Sequence, residues 1–331
     1  MNKLRNIVVS VIVALTIGLV VVFFTTGNVL SEDVTTIRFG HDAAETNERH
    51  VAVLHFKELV EEKSNGQMEV IIFPSDQLGS EAEKLESVTL NDLQMVTASA
   101  FSQYDQRIGV FELPYLFDSY EKAWEVLDGE IGKELSKPFL KDNLRILTFF
   151  ENGFRHVTAN KPIENLEDLK GLKIRTPEFP ISLSTFSALG ANPTPMAFGE
   201  LYMGLQQGTV DAQENPVANT YASKFNEVQD YLIMTGHQYI PMPVAISEEF
   251  WQSLTPEEQK IVEESALETA QFHRDLVTSK EEQIIEELEE SGMTVIYPDT
   301  KLFEENVEAV YENFKKKFGE EFVDQVVKAA E

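Results

Sequence analysis

No glycine or proline interrupts the chain between Pro256 and Gly292. Thr255-Pro256-Glu257-Glu258 opens this stretch with an N-cap threonine, proline at the first helical position and glutamate at the third. Apolar residues recur inside it at Ile261, Val262, Ala266, Ala270, Leu276, Val277, Ile284, Ile285 and Leu288. At 1.5 Å per residue this predicts one helix, Pro256 to about Glu290, roughly 50 Å long. That is too long for one small domain, so the helix is expected to cross between two. The length of 331 residues fits the same conclusion, being more than one compact core accommodates. No internal repeat or low-complexity linker is visible, so the domain boundaries are expected to be chain crossings rather than flexible tethers.

The rest of the chain alternates two periods. Thr35 to Gly40, Met68 to Phe73, Leu93 to Ala100, Arg145 to Phe150, Leu172 to Arg175 and Met293 to Tyr297 read as strands. Asn47 to Lys63 carries Ala52, Phe56, Leu59 and Val60 on one helical face, with Gly66 beyond its end. Ser80-x-x-Glu83 is a capping box opening another helix. Ile181 to Ala188, Glu200 to Gln207 and Phe225 to Leu232 also fit helices, and Asp211 to Asn215 reads as a polar hairpin. Strands spaced by helices of this length argue for the α/β class, with parallel sheets covered by helices.

Composition narrows the partners. The net charge is −29. Residues 1–30 hold only Lys3 and Arg5 and no acid, which leaves 25 Lys and Arg against 56 Asp and Glu, or −31, beyond them. Such a surface repels nucleic acid and anionic headgroups, so an anionic ligand would need a site that reverses the field locally. There is no cysteine, which excludes disulfides, thiolate metal sites, cysteine nucleophiles and a lipid-modified cysteine anchor. Lys3 and Arg5 precede an uncharged apolar run from Ile7 to Phe24. A positive segment followed by an apolar one predicts export, with residues 1–30 serving as a cleaved signal peptide or as a retained membrane anchor. In either case the domain faces outward.

Lys173 to Pro216 holds the most chemistry. Arg175 sits at the end of a strand-like run, followed by a helix, a Gly/Ala/Pro-rich turn and the apolar tip Met196-Ala197-Phe198. A guanidinium offers a planar fork of donors that fits a carboxylate two bonds at a time, which suits capture of a small organic anion. On the bare pattern Arg155 is open to pairing with Glu151 or Glu178, Asn215 before Pro216 to a turn role, and Phe198 to a core role. Glu178, three residues after Arg175, is open to facing a pocket or to a solvated helix start. His50 and His55, five apart, lie on different helical faces and form no metal motif. Asp211 and Glu214 lack the nucleophile, metal site or phosphate loop that would make them an acid/base pair. No Walker loop, G-x-G-x-x-G or G-x-S-x-G is present.

A set of short motifs also runs through the chain in order. Gln77-Leu78-Gly79 comes first, then Gly153-Phe154-Arg155, Pro162-Ile163 and Glu167-Asp168-Leu169-Lys170-Gly171-Leu172-Lys173-Ile174-Arg175-Thr176-Pro177. Ala188-Leu189-Gly190-Ala191, Pro193-Thr194-Pro195-Met196-Ala197-Phe198, Glu200-Leu201-Tyr202 and Asp211-Ala212-Gln213-Glu214-Asn215-Pro216 follow. Together they resemble the solute-binding subunit of a TRAP (tripartite ATP-independent periplasmic) transporter, of the DctP type, from about residue 34 to the C-terminus. The resemblance implies a two-lobed, type II periplasmic-binding-protein-like α/β fold whose lobes close over a ligand at their interface. It implies 34–152 with 241–280 as lobe I and 153–240 with 281–331 as lobe II.

The resemblance further implies that Arg175 makes a bidentate salt bridge to the ligand carboxylate. It places Arg155 and Asn215 along the cleft, and Phe198 against the ligand or Arg175. Members commonly carry an arginine a few residues after Gln-Leu-Gly, where this chain has Ala82 and only then Lys84. The implied function is a non-catalytic, extracytoplasmic receptor for a carboxylate-bearing organic acid, a C4-dicarboxylate or a sugar acid, delivered to small and large TRAP membrane subunits. The alternative is a sensory protein presenting such an acid to a membrane receptor. No cofactor, metal or nucleic acid is implied, the chain is expected to be a monomer, and membrane contact is expected through the N-terminal segment if it is uncleaved. A secreted α/β enzyme is disfavoured because no catalytic constellation is present. A monocarboxylate needs only Arg175, whereas a dicarboxylate needs another cation, for which Arg155 is the candidate.

Overall fold

The computed structural model describes residues 34–331; the expected export segment, 1–30, lies outside the described residues. Strands β1 (Thr35–Gly40), β2 (Met68–Phe73), β3 (Met95–Thr97) and β4 (Leu144–Phe150) come first. After a crossing at Glu151–Gly153 the chain lays down β5 (Phe154–Ala159), β6 (Lys173–Thr176), β7 (Asn192–Pro195), β8 (Ala212–Asn215) and β9 (Tyr231–Tyr239). It then returns as β10 (Met242–Ser247) and later adds β11 (Thr294–Ile296). Two sheets result, ordered β2-β1-β3-β10-β4 and β11-β9-β5-β8-β6-β7. With helices against them they form the two-lobed α/β fold.

The sheets are mixed, not parallel as the alternation of elements predicted. β1 and β3 pair in parallel, as do β6 with β7 and with β8. β10 runs antiparallel to β3 and β4, and β5 antiparallel to β8 and β9. The strands out of line, β5 and β10, are entered by crossing from the other sheet. Such a strand is not held to the parallel direction that a helical crossover within one sheet imposes. Gly153 makes the first crossing possible: its φ of +99° is a conformation that side chains with a Cβ resist.

The long helix runs Pro256–Glu290, as its uninterrupted sequence predicted. Thr255 Oγ1 accepts from the Glu258 amide and the Glu258 side chain reaches back to the cap, so two orphan donors are satisfied. Its first half buries Val262, Ala266 and Ala270 in the core of the first sheet, with Ile37, Phe39 and Phe56. Its last turns bury Ile284 and Leu288 beside Leu232 of β9 and Met293. One helix thus contributes to the packing of both sheets.

The Asn47 side chain caps Glu48–Lys63, and the Ser80/Glu83 capping box opens Glu81–Thr89, as expected. Three elements differ from the sequence reading. The strand expected over 93–100 shortens to Met95–Thr97 and runs into a 3₁₀ turn, Ala100–Gln103. In place of a helix over 225–232 there is one 3₁₀ turn, Phe225–Glu227, followed by β9. There Leu232 and Ile233 are fully buried between β5 and β11, so sheet pairing outweighs weak helical periodicity. Asp211–Asn215 is no hairpin: β8 is a buried strand between β5 and β6. Its polar residues misled the reading because each finds a buried partner, as Gln213 does in Thr158.

Candidate functional site

β6 alternates its side chains across the sheet, so Ile174 enters the core and Arg175 takes the opposite face. Arg175 is only 2% exposed. Its Nε and Nη2 donate to the Met196 carbonyl at 2.9 and 2.7 Å, and its Cζ lies 6.0 Å from the Phe198 ring centroid. These contacts hold the guanidinium in place without neutralising it. Among the described residues no carboxylate stands within ion-pair distance of Arg175, and Nη1 has no hydrogen-bond partner. Burial pulls its pKa down to about 10, with the charge of Arg155 adding to the effect and that of Glu214 opposing it. At neutral pH Arg175 is therefore a desolvated positive charge with no anion of its own.

All five residues singled out in the sequence line one cleft: Arg155, Arg175, Glu178, Phe198 and Asn215. Arg155, on β5, pairs with neither Glu151 nor Glu178. It donates through Nε to Glu214 Oε2 at 2.5 Å and through Nη2 to Oε1 at 3.0 Å and to the Glu214 carbonyl at 2.7 Å. Burial works to raise the Glu214 carboxyl, but the charge of Arg155 and the hydrogen bond to His237 outweigh it and hold the group below its ordinary value. Glu151, the partner first considered, instead accepts from Trp124 Nε1 and the Tyr239 hydroxyl at the crossing. Asn215 donates to Gln213 Oε1 at 2.6 Å and accepts from Asn219 Nδ2 at 3.2 Å. Phe198 is half-buried and meets Phe225 edge-on, and Glu178 is exposed at the cleft wall.

The opposite wall comes from loops and helix starts that flank the first sheet, and most of it was not legible in the sequence. It holds Asp42, Arg49, Asp76 and Glu81, with Asn152 of the crossing. Arg49 donates to Asp42 Oδ1 at 2.5 Å and to Asn152 Oδ1 at 2.6 Å, and Asn219 Nδ2 reaches the same Asn152 oxygen at 3.3 Å. A chain of buried amides therefore links the two sides of the cleft floor. One signal for Arg49 was available, since it lies three residues before Ala52 and so on the apolar face of its helix. Lys84, where the sequence reading sought a second cation, is fully buried and spent on Asp76 and the Gly79 carbonyl. Glu81 accepts from the Ser99 amide at 3.0 Å, and burial together with the charge of Asp42 pushes its pKa up to about 7.

The cleft encloses about 330 Å³, the size of a small-molecule site. Among the described residues no group of three or more His, Asp or Glu side chains is placed to hold a metal ion. His50 instead meets His41 at 3.1 Å, and the His55 ring packs on Phe272.

Three comparisons bear on this architecture. Residues 39–317 match the family described as bacterial extracellular solute-binding protein, family 7, DctP. The 2,3-diketo-L-gulonate-binding periplasmic protein YiaO of Escherichia coli is 34% identical over 297 residues, 89% of this chain and 88% of that protein. The C4-dicarboxylate-binding protein DctB of Bacillus subtilis is 30% identical, over 89% of this chain and 87% of its own length. The crystal structure of a TRAP periplasmic solute-binding protein from a Polaromonas species, bound to D-erythronate, has a TM-score of 0.86 at 34% identity and covers 88% of this chain and 98% of that one. A sequence family, curated relatives and a solved structure thus agree over nearly the whole described region, and the chain belongs to the DctP family of extracytoplasmic TRAP solute-binding proteins.

Proposed function

We propose that the cleft captures a carboxylate-bearing organic acid, a sugar acid or a C4-dicarboxylate, through a bidentate salt bridge from Arg175. The observation that carries this is the state of Arg175: buried, held by the Met196 carbonyl and the Phe198 ring, and without an anion. Such a charge gains most from a ligand carboxylate, because the guanidinium is already out of water and its fork is already oriented. The relatives' ligands point the same way. Diketo-gulonate, erythronate and C4-dicarboxylates differ in length and hydroxylation but share a carboxylate.

Asn215 and Arg155 belong to the fixed floor of the cleft, Phe198 shields the salt bridge from water, and Glu178 stands at the rim. The lobes are 34–152 with 241–280 and 153–240 with 281–331, a division that the membership of the two sheets supports. They close about the crossings at Glu151–Gly153 and Ile240–Pro241 and about the middle of the long helix, a population shift towards contacts made only in the closed form. The loaded protein then delivers its acid to the TRAP membrane subunits.

Calorimetry with a panel of organic acids tests the anchor. Arg175→Ala and Arg175→Lys should each abolish detectable binding of the acid that the unmodified protein holds, while melting stays cooperative. Micromolar binding retained by Arg175→Ala would sink the proposal.

A further inference from the structure

Every cation on or just behind the cleft wall, apart from Arg175, already has its anion. Arg155 is matched by Glu214, Arg49 by Asp42 and Lys84 by Asp76. Two carboxylates on the wall, Glu81 and Glu178, have no cation at ion-pair distance among the described residues. Both oxygens of Glu81 accept from Ser99, at 3.0 Å from its amide and 3.0 Å from its hydroxyl, which leaves carboxylate lone pairs for a further donor. The rest of the polar lining includes neutral groups, among them Ser102, Gln103, Gln106, Asn152 and Asn219.

Resting on the reading of Arg175 as the carboxylate anchor, we propose that this cleft is matched to a single negative charge. Its ligand is a polyhydroxy monocarboxylate of the aldonate type, whose hydroxyls donate to Glu81 and exchange hydrogen bonds with the neutral lining. In its ionised form Glu81 is the residue that turns a second carboxylate away.

A dicarboxylate would bring its second charge out of water towards Glu81 and Glu178 with no free cation to receive it. Taking Arg155 for that purpose would strip Glu214, which is 0% exposed, of its cationic partner. An uncompensated buried carboxylate costs more than the new pair returns. Hydroxyls meet no such barrier, since an ionised carboxylate is a strong acceptor for them.

The experiment is calorimetric titration at pH 8.5, where Glu81 is ionised, of the purified protein, and of Glu81→Gln and Arg175→Ala, with D-erythronate, D-galactonate, succinate and malate. The unmodified protein should bind at least one hydroxy acid about 100-fold more tightly than either dicarboxylate, a gap of about 2.7 kcal/mol. Glu81→Gln should narrow that ratio by about tenfold. A dicarboxylate within tenfold of the better hydroxy acid would overturn the inference, as would a failure of both hydroxy acids to bind or a ratio unmoved in a folded Glu81→Gln. If that variant fails to fold, the ratio in the unmodified protein decides alone. Loss of all binding in Arg175→Ala alongside a preference for succinate leaves the anchor standing and removes only the single-charge inference. Binding retained in Arg175→Ala removes the anchor itself.

Discussion

Glu112 ends a 3₁₀ segment, Gln106–Glu112, with its side chain 2% exposed and Oε2 without a partner. Burial pushes its pKa from the ordinary 4.5 up to about 8, against the opposing charge of Arg155. The folded protein therefore holds this proton more tightly than the unfolded chain does. The stability it contributes is fully present below about pH 4.5, falls as pH rises through the window, and is gone above about pH 8. The slope is at most about 1.4 kcal/mol per pH unit. Glu112→Gln keeps the shape and removes the titration. Its melting temperature relative to the unmodified protein should climb between pH 5 and pH 8; a flat difference would show that Glu112 does not titrate there. Glu81 does not announce itself in the sequence, because it sits in a string of polar residues whose burial follows from what packs over them; Glu112 stands in the apolar run Val110 to Phe117, where burial is legible but the unpartnered Oε2 is not. Arg175 is different: its place in a strand and the apolar tip after it are local, and they are visible in the sequence.

At the scale of elements, caps and breakers read well and buried polar strands did not. The long helix was recoverable because its information is local: a capping box, proline at the first position and no breaker up to Gly292. β8 was mistaken for a hairpin because Gln213, Glu214 and Asn215 find partners in residues distant in sequence, on β5 and the His237 ring, as well as in Asn219 and in each other. The helix also yields a prediction. Leu288, 0% exposed near its C-terminus, packs with Leu232 and Met293, whereas Val262 near its start packs with the first sheet. Leu288→Ala should cost about 2–5 kcal/mol in denaturant unfolding. If the helix couples the two cores, the loss should appear in a single transition detected equally by probes on either sheet. Two separate transitions would show that the lobes unfold independently.

The whole molecule carries a net charge of −29 yet encloses a cleft built around a buried arginine. Excess like charge opposes compaction, and salt screens it within a Debye length of about 10 Å at 0.1 M. The melting temperature should therefore rise between 10 mM and 500 mM sodium chloride, and a fall would mean that attractive surface pairs outweigh the net repulsion. The sequence by itself determined the α/β class, the need for two lobes, the helix that runs between their cores and five residues of one side of the cleft. The first three rest on period, caps and breakers, and the cleft residues on motifs that resemble a known family. Tertiary structure alone decided the antiparallel entry of β5 and β10, the pairing of Arg155 with Glu214, and the opposite wall of Arg49, Asp42 and Glu81. Charge matching depends on distances between residues far apart in the chain, and only the packed fold sets those distances. That matching leaves Arg175 as the one buried cation lining the cleft, among the described residues, without an anion of its own.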